Sequence, residues 1–113
     1  MTEIPLGWAS IESWKKGDPL VEYDPDYVKN PKETIFPPNQ TFTIIIEYPS
    51  SIKCEFSFYT SDGISREDFM EFIVKKYREL NANNVIDAYT FSGLYLYSYK
   101  IKDNTLTIGV DNP

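Results

Sequence analysis

Four carboxylates, Asp18, Glu22, Asp24 and Asp26, crowd one short stretch of the chain. Acids paired at close range can carry general acid and base steps on a glycosidic bond, or hold a hard cation through oxygen ligands. Their spacing fits no EF-hand loop, and no glycine stands among them to make the sharp turn that such a loop needs. They read instead as the solvated flank of a proline-rich segment. Other catalytic groups are scarce. The sequence has no histidine and one cysteine, Cys54, which removes Ser-His and Cys-His nucleophile pairs and histidine-rich metal sites. Cys54 lies in an alternating apolar pattern and is expected to be a small buried hydrophobe. Gly7, Gly17, Gly63, Gly93 and Gly109 each stand alone, so there is no glycine-rich loop to cradle a phosphate. The expectation is a protein that is not an enzyme and carries no cofactor and no metal.

Aromatic residues are the more suggestive set. Tyr95, Tyr97 and Tyr99 alternate along one stretch and are expected to share one face of a strand, where a stripe of rings can stack bases or take a partner strand. A net charge of −6 opposes nucleic-acid binding, because phosphate contacts need clustered Lys and Arg. Lys15-Lys16 and Lys75-Lys76 are only pairs, and an acidic chain suits a basic partner better. The stripe is either a half-buried face covered by the N-terminal segment or a docking surface. Both tryptophans, Trp8 and Trp14, lie in that segment, which holds more aromatic surface than a solvated linker needs. The candidate partner-binding residues are therefore Trp8, Trp14, Tyr95, Tyr97 and Tyr99. The expected partner is another protein or a second copy, with no nucleic acid and no membrane. No apolar run approaches the roughly 18 residues that span a bilayer. Met1-Thr2-Glu3-Ile4-Pro5 lacks the basic start and apolar centre of a secretory signal, so an intracellular location is expected.

A chain of 113 residues suits one domain with one core. Six of its prolines, Pro5, Pro19, Pro25, Pro31, Pro37 and Pro38, precede Gln40, and each removes a backbone donor. Residues 1–40 accordingly read as an extended arm without long regular elements, either folded back over an edge of its own sheet or laid on a partner. Within it, Trp8, Ile11 and Trp14 are spaced by three, which predicts one or two helical turns from Trp8 to Lys16, ended by Gly17-Asp18-Pro19.

Residues 41–113 read as a folded domain. Phe42, Ile44, Ile46 and Tyr48 alternate in a first strand, Pro49-Ser50-Ser51 turns, and Ile52, Cys54, Phe56 and Phe58 alternate in a second. Ser65 followed by Asp68 predicts a capped helix start, and Phe69, Ile73, Tyr77 and Leu80, with Met70, Phe72 and Val74 beside them, supply its apolar face. The helix is expected to end in Asn81-Ala82-Asn83-Asn84, and Val85 to Ser92 carries no clear pattern. Strands from Leu94 to Ile101 and from Thr105 to Val110 meet through Lys102-Asp103-Asn104, whose Asp and Asn tolerate left-handed geometry. The expected fold is α+β: a ββαββ single sheet with the helix packed on one face, β-grasp-like or with another strand order, preceded by the arm.

The part from residue 41 to 110 resembles a family of small uncharacterised α+β proteins encoded by giant DNA viruses and by some protists. The likeness rests on the strand into Tyr48-Pro49, Glu55-Phe56, the helix entry Ser61-Asp62-Gly63-Ile64-Ser65-Arg66, Tyr77, Leu94-Tyr95-Leu96 and Thr105-Leu106-Thr107-Ile108-Gly109. Members of that family carry a longer insert after the helix and a Trp-Gly-His-like stretch, where this chain has only Tyr89-Thr90-Phe91-Ser92-Gly93. The resemblance implies a viral or protist origin, in a host cytoplasm or a virion, and lends no activity. The leading expectation is a non-enzymatic interaction or assembly protein. The alternative is an acidic inhibitor or modifier-like protein that occupies a basic site on a nucleic-acid-handling enzyme.

Overall fold

The computed structural model describes residues 2–20, 29–49 and 53–112. Its strands are β1 (Thr2–Ser10), β2 (Thr34–Phe36), β3 (Gln40–Ile46), β4 (Cys54–Thr60), β5 (Ile64–Ser65), β6 (Tyr95–Lys102) and β7 (Thr105–Asp111). The helices are α1 (Arg66–Ala82) and α2 (Ala88–Ser92). A five-stranded mixed sheet runs β1-β6-β7-β3-β4, and β2 and β5 form a separate two-stranded sheet. The fold is α+β with one main helix.

Strand alternation positions the core as the sequence implies. Phe42, Ile44 and Ile46 of β3 and Leu106, Ile108 and Val110 of β7 are buried, because period-2 patterning sends them all to one face. Helix α1 covers that face with Phe69, Met70, Ile73, Val74 and Tyr77. Ser65 is its N-cap, its hydroxyl accepting from the Asp68 amide at 3.2 Å, as the Ser-x-x-Asp spacing predicts. The β6–β7 turn places Asp103 and Asn104 at positive φ, 50° and 60°, the left-handed pair that a two-residue hairpin turn requires. The patternless stretch before β6 contains the short helix α2, capped by Asp87 through the Thr90 amide at 2.8 Å.

The N-terminal segment departs from the expectation. Of the helical turns expected over residues 8–16 a single one forms, the Trp14 amide donating to the Ser10 carbonyl at 2.8 Å, while residues 8–10 belong to a strand, and regular structure does occur before Gln40. The nine-residue β1 pairs antiparallel with β6, from Thr2↔Ile101 to Ser10↔Tyr95. Here the open edge of β6 overrides the three-residue spacing, since pairing there satisfies a whole row of backbone groups. Pro5 is tolerated because β1 is itself an edge strand. After β1 the chain turns and lies along α1, where Arg78 donates to the carbonyls of Ile11 at 3.1 Å and Trp14 at 2.6 Å. Lys16 and Asp68 pair at 2.5 Å. Leu6, Ile11, Trp14, Leu20 and Phe36 belong to the same core cluster as the later residues. Phe36 lies at its centre, 4.5 Å from Phe42, 5.1 Å from Phe69 and 5.2 Å from Tyr99 between ring centroids. No gap in the core falls at residue 40.

The second sheet corrects the expectation of a single one. Its strands bring the 30–36 segment against the start of α1, where the amides of Arg66 and Glu67 donate to the carbonyls of Glu33 at 2.8 Å and Pro31 at 3.0 Å. Two helix-terminal donors are thereby satisfied from outside the helix.

Candidate interaction surface

Two bulges coincide on the side of the sheet away from α1. Along β6 and β7 the register jumps from Leu96↔Val110 to Ser98↔Gly109, so Tyr97 is an extra residue. Along β1 and β6 it jumps from Pro5↔Ser98 to Ala9↔Leu96, with Gly7 at φ 122° inside the irregular stretch. An extra residue reverses the parity of everything beyond it. This overturns the expectation that Tyr95, Tyr97 and Tyr99 share a face. Tyr95 and Tyr97 remain half-buried on the open side, while Tyr99 is 1% exposed and packs in the core against Phe36 and Phe69. Burial pushes its phenol up to about 12, since the anion is poorly solvated there.

Trp8 projects over the other two tyrosines. Its ring stacks on Tyr95 at 5.0 Å and 15° and meets Tyr97 at 6.0 Å and 37°, within the offset range that aromatic pairs favour. Beside this cluster lies a cleft of 330 Å³ lined by Glu3, Pro5, Gly7, Trp8, Tyr97, Ser98 and Asp111. Ser98 forms its floor, only 2% exposed, with its hydroxyl 3.4 Å from the Glu3 carboxylate. Gly109 makes that floor possible: a Cβ there would collide with the Ser98 hydroxyl. A smaller hollow of 170 Å³ shares Glu3 and Tyr97 and adds Lys100, Thr107 and Gly109. Among the described residues the larger cleft therefore has two carboxylates and no cation in its lining.

Trp14, the other tryptophan of the candidate set, does not reach this surface. It is 5% exposed within the core cluster, and its indole nitrogen has no hydrogen-bond partner among the described residues. Asp18 closes a local turn, accepting from the Lys15 amide at 2.9 Å. Glu22, Asp24 and Asp26 lie outside the described residues. Cys54, expected to be buried, is intermediate in exposure at the start of β4. Among the described residues no three of His, Cys, Asp and Glu gather as a metal-binding group, and no helix is long and apolar enough to cross a membrane.

Sequence reasoning missed Glu3, Ser98 and Asp111, which converge from three strands. The available signals were Gly7 and Gly109, isolated glycines in strand-like stretches, which mark bulges and close backbone approach. Comparison with protein-family models, curated proteins and solved structures finds no match. The functional reading rests on this geometry.

Proposed function

We propose that the protein is a non-enzymatic interaction domain that docks a partner protein through the aromatic cleft of β1, β6 and β7, taking a basic side chain of that partner. One observation carries the reading: Trp8, stacked with Tyr95 and Tyr97, borders a cleft whose charged lining groups, among the described residues, are Glu3 and Asp111. Ring faces attract cations, by about 0.5–2 kcal/mol depending on desolvation. Carboxylates at the rim add direction and guanidinium hydrogen bonds. Lys100 faces Glu3 across the strand pair and lines the neighbouring hollow, so the cation enters on the Asp111 side of Tyr97. The chain's net charge of −6 steers a basic surface towards it.

The parallel contact of β3 with β7 at the sheet centre supports a β-grasp-like reading of the fold, and the resemblance to the giant-virus and protist family supports an assembly such as a virion as the setting. A second reading, an inhibitor occupying a basic enzyme site, uses the same carboxylates, and its binding would fall steeply with salt. The test is a titration with the peptides Gly-Arg-Gly, Gly-Lys-Gly and Gly-Gln-Gly, followed by nuclear magnetic resonance of the two indole N–H groups, assigned with Trp8→Phe. The Trp8 signal should move with the arginine and lysine peptides, stay with the glutamine peptide, and lose its response in Glu3→Gln/Asp111→Asn. An equal response to all three peptides, or none to any, refutes the reading.

A further inference from the structure

The two edges of the main sheet are built differently. The β1 edge carries Pro5, which offers no donor, and the bulge around Gly7, the features that blunt an edge against pairing with another chain. The β4 edge has neither. Its seven residues contain no proline or glycine, and their register with β3 is unbroken from Gln40↔Thr60 to Ile46↔Cys54. Among the described residues β4 pairs with β3 alone. Phe56 and Phe58 on its helix side are only partly buried and lean on Phe72 of α1 at 5.8 and 5.7 Å.

We propose that β4 is a homodimer interface, in which two copies pair antiparallel about a two-fold axis at Ser57 and join their sheets into one. The occupant follows from the strand itself. Ser57 is the midpoint of Cys54–Thr60, so an axis there pairs every residue of the strand and keeps both helices on one side. It sets Glu55 opposite Tyr59 and Phe56 opposite Phe58, a charge against a phenol and ring against ring. An axis at Glu55 would oppose two carboxylates, and an axis at Tyr59 would leave half the strand unpaired. Charge is also balanced locally, unlike the chain as a whole. Lys53, Lys75 and Lys76 accompany Glu55, Glu71 and Glu79 on β4 and the neighbouring turns of α1. Lys76 lies over the Phe56 and Phe72 rings at 5.2 and 5.7 Å and pairs with Glu79 at 3.7 Å, and Lys75 pairs with Glu71 at 3.6 Å, so the helix charges beside the edge are already matched.

Sedimentation equilibrium of the full chain across micromolar to millimolar concentrations tests this, with Ser57→Lys as the disrupting variant. Ser57 is exposed, so that variant should keep its circular dichroism while two like charges meet at the axis and weaken the dimer by roughly tenfold or more. In a Cys54→Ser background, Ser57→Cys should cross-link through a disulfide, because directly opposed strand residues have Cα atoms about 4.5–5.5 Å apart, within disulfide range. Tyr59→Cys in the same background should not, since residue 55 stands opposite. A protein that stays monomeric overturns the proposal, as does a dimer indifferent to Ser57→Lys or one in which both cysteine variants cross-link equally.

Discussion

Arg66 is 5% exposed, yet it carries a charge, and its surroundings set an unusual order of mutational costs. Its guanidinium donates to the Pro5 carbonyl at 2.6 Å, the Glu33 carboxylate at 2.7 Å and the Asn30 carbonyl at 3.3 Å. The Glu33 side chain is 54% exposed, so intuition places the greater loss at the buried partner. Physical reasoning reverses this. Glu33→Ala leaves a buried cation without its carboxylate, and the neighbouring acid Glu67 is held by Lys32 at 2.6 Å. Breaking a buried pair from one side costs about 3–5 kcal/mol. Water reaches Glu33, which discounts the loss to about 2–3 kcal/mol. Arg66→Met removes the buried charge itself and fills its path with a flexible apolar chain. The orphaned acceptors belong to Pro5, Asn30 and Glu33, all at or near the surface, where water can replace the lost donor. The cost is then about 1–2 kcal/mol. Urea denaturation at neutral pH, followed by circular dichroism, should rank Glu33→Ala below Arg66→Met in midpoint at similar slopes. At about 4 °C per kcal/mol the same order should appear in Tm. The opposite order would refute the argument and show that the hydrogen bonds of Arg66, not its uncompensated charge, govern this corner.

Two further outcomes follow from the packing. Gly109→Ala should destabilise by about 1–3 kcal/mol, because the new methyl overlaps the Ser98 hydroxyl and lies 3.1 Å from the Ser98 carbonyl oxygen. Adding Ser98→Ala should recover part of that loss in chemical denaturation, while an additive pair would contradict the contact. Alkaline pH should unfold the protein through its buried phenols. Burial raises Tyr77 well above the ordinary phenol value and Tyr99 up to about 12. A folded pKa above the unfolded value of about 10 gives stability that is complete below pH 10 and declines as pH rises towards the folded value. Tyr99 alone accounts for about 2 kcal/mol lost by pH 12. The last phenolate absorbance to develop should therefore appear together with loss of helix signal, and Tyr99→Phe should shift the transition upward. Ionisation of all nine tyrosines near pH 10 in a protein that stays folded would sink this.

Legibility in the sequence tracked how local the determinants were. The strands β3 and β7 announce themselves by alternation, α1 by Ser65 and Asp68, and the β6–β7 turn by Asp103-Asn104, since each signal acts within a few residues. Strand β1 has no such signature. Pro5 and Gly7 break its pattern, and only the backbone of β6, 85 to 99 positions later, gives it a register. The tyrosine stripe failed for a related reason. Alternation holds only while register holds, and the bulge at Tyr97 moves Tyr99 to the other face. Trp14 looked like a docking residue because a tryptophan in a proline-rich stretch has no local clue to burial; Arg78 and the flank of α1 supply it. The buried Arg66 was invisible for the same reason, since all three of its acceptors lie at least thirty residues away in sequence.

Arg66 also connects the helix to the cleft. The Pro5 carbonyl that it holds comes just before the stretch in which β1 leaves register, swings through Gly7 and presents Trp8 over Tyr95 and Tyr97. A bulge is a weak place in an edge strand, because the extra residue lacks its ladder partner. Without an anchor on its N-terminal side, Trp8 would sample several positions, and ordering it on binding would oppose affinity. The guanidinium supplies that anchor from the first turn of α1, where Ser65, Glu33 and Pro31 also converge. The other end of the bulge is fixed by Ala9 in the core and by the Ile11 amide donating to the Leu94 carbonyl at 3.0 Å. A strand pinned on both sides of an irregular centre keeps its large aromatic residue in place beside the cleft. The N-terminal segment would thus serve the proposed site, and its proline and glycine, which obscured β1 in the sequence, shape the strand beside the cleft.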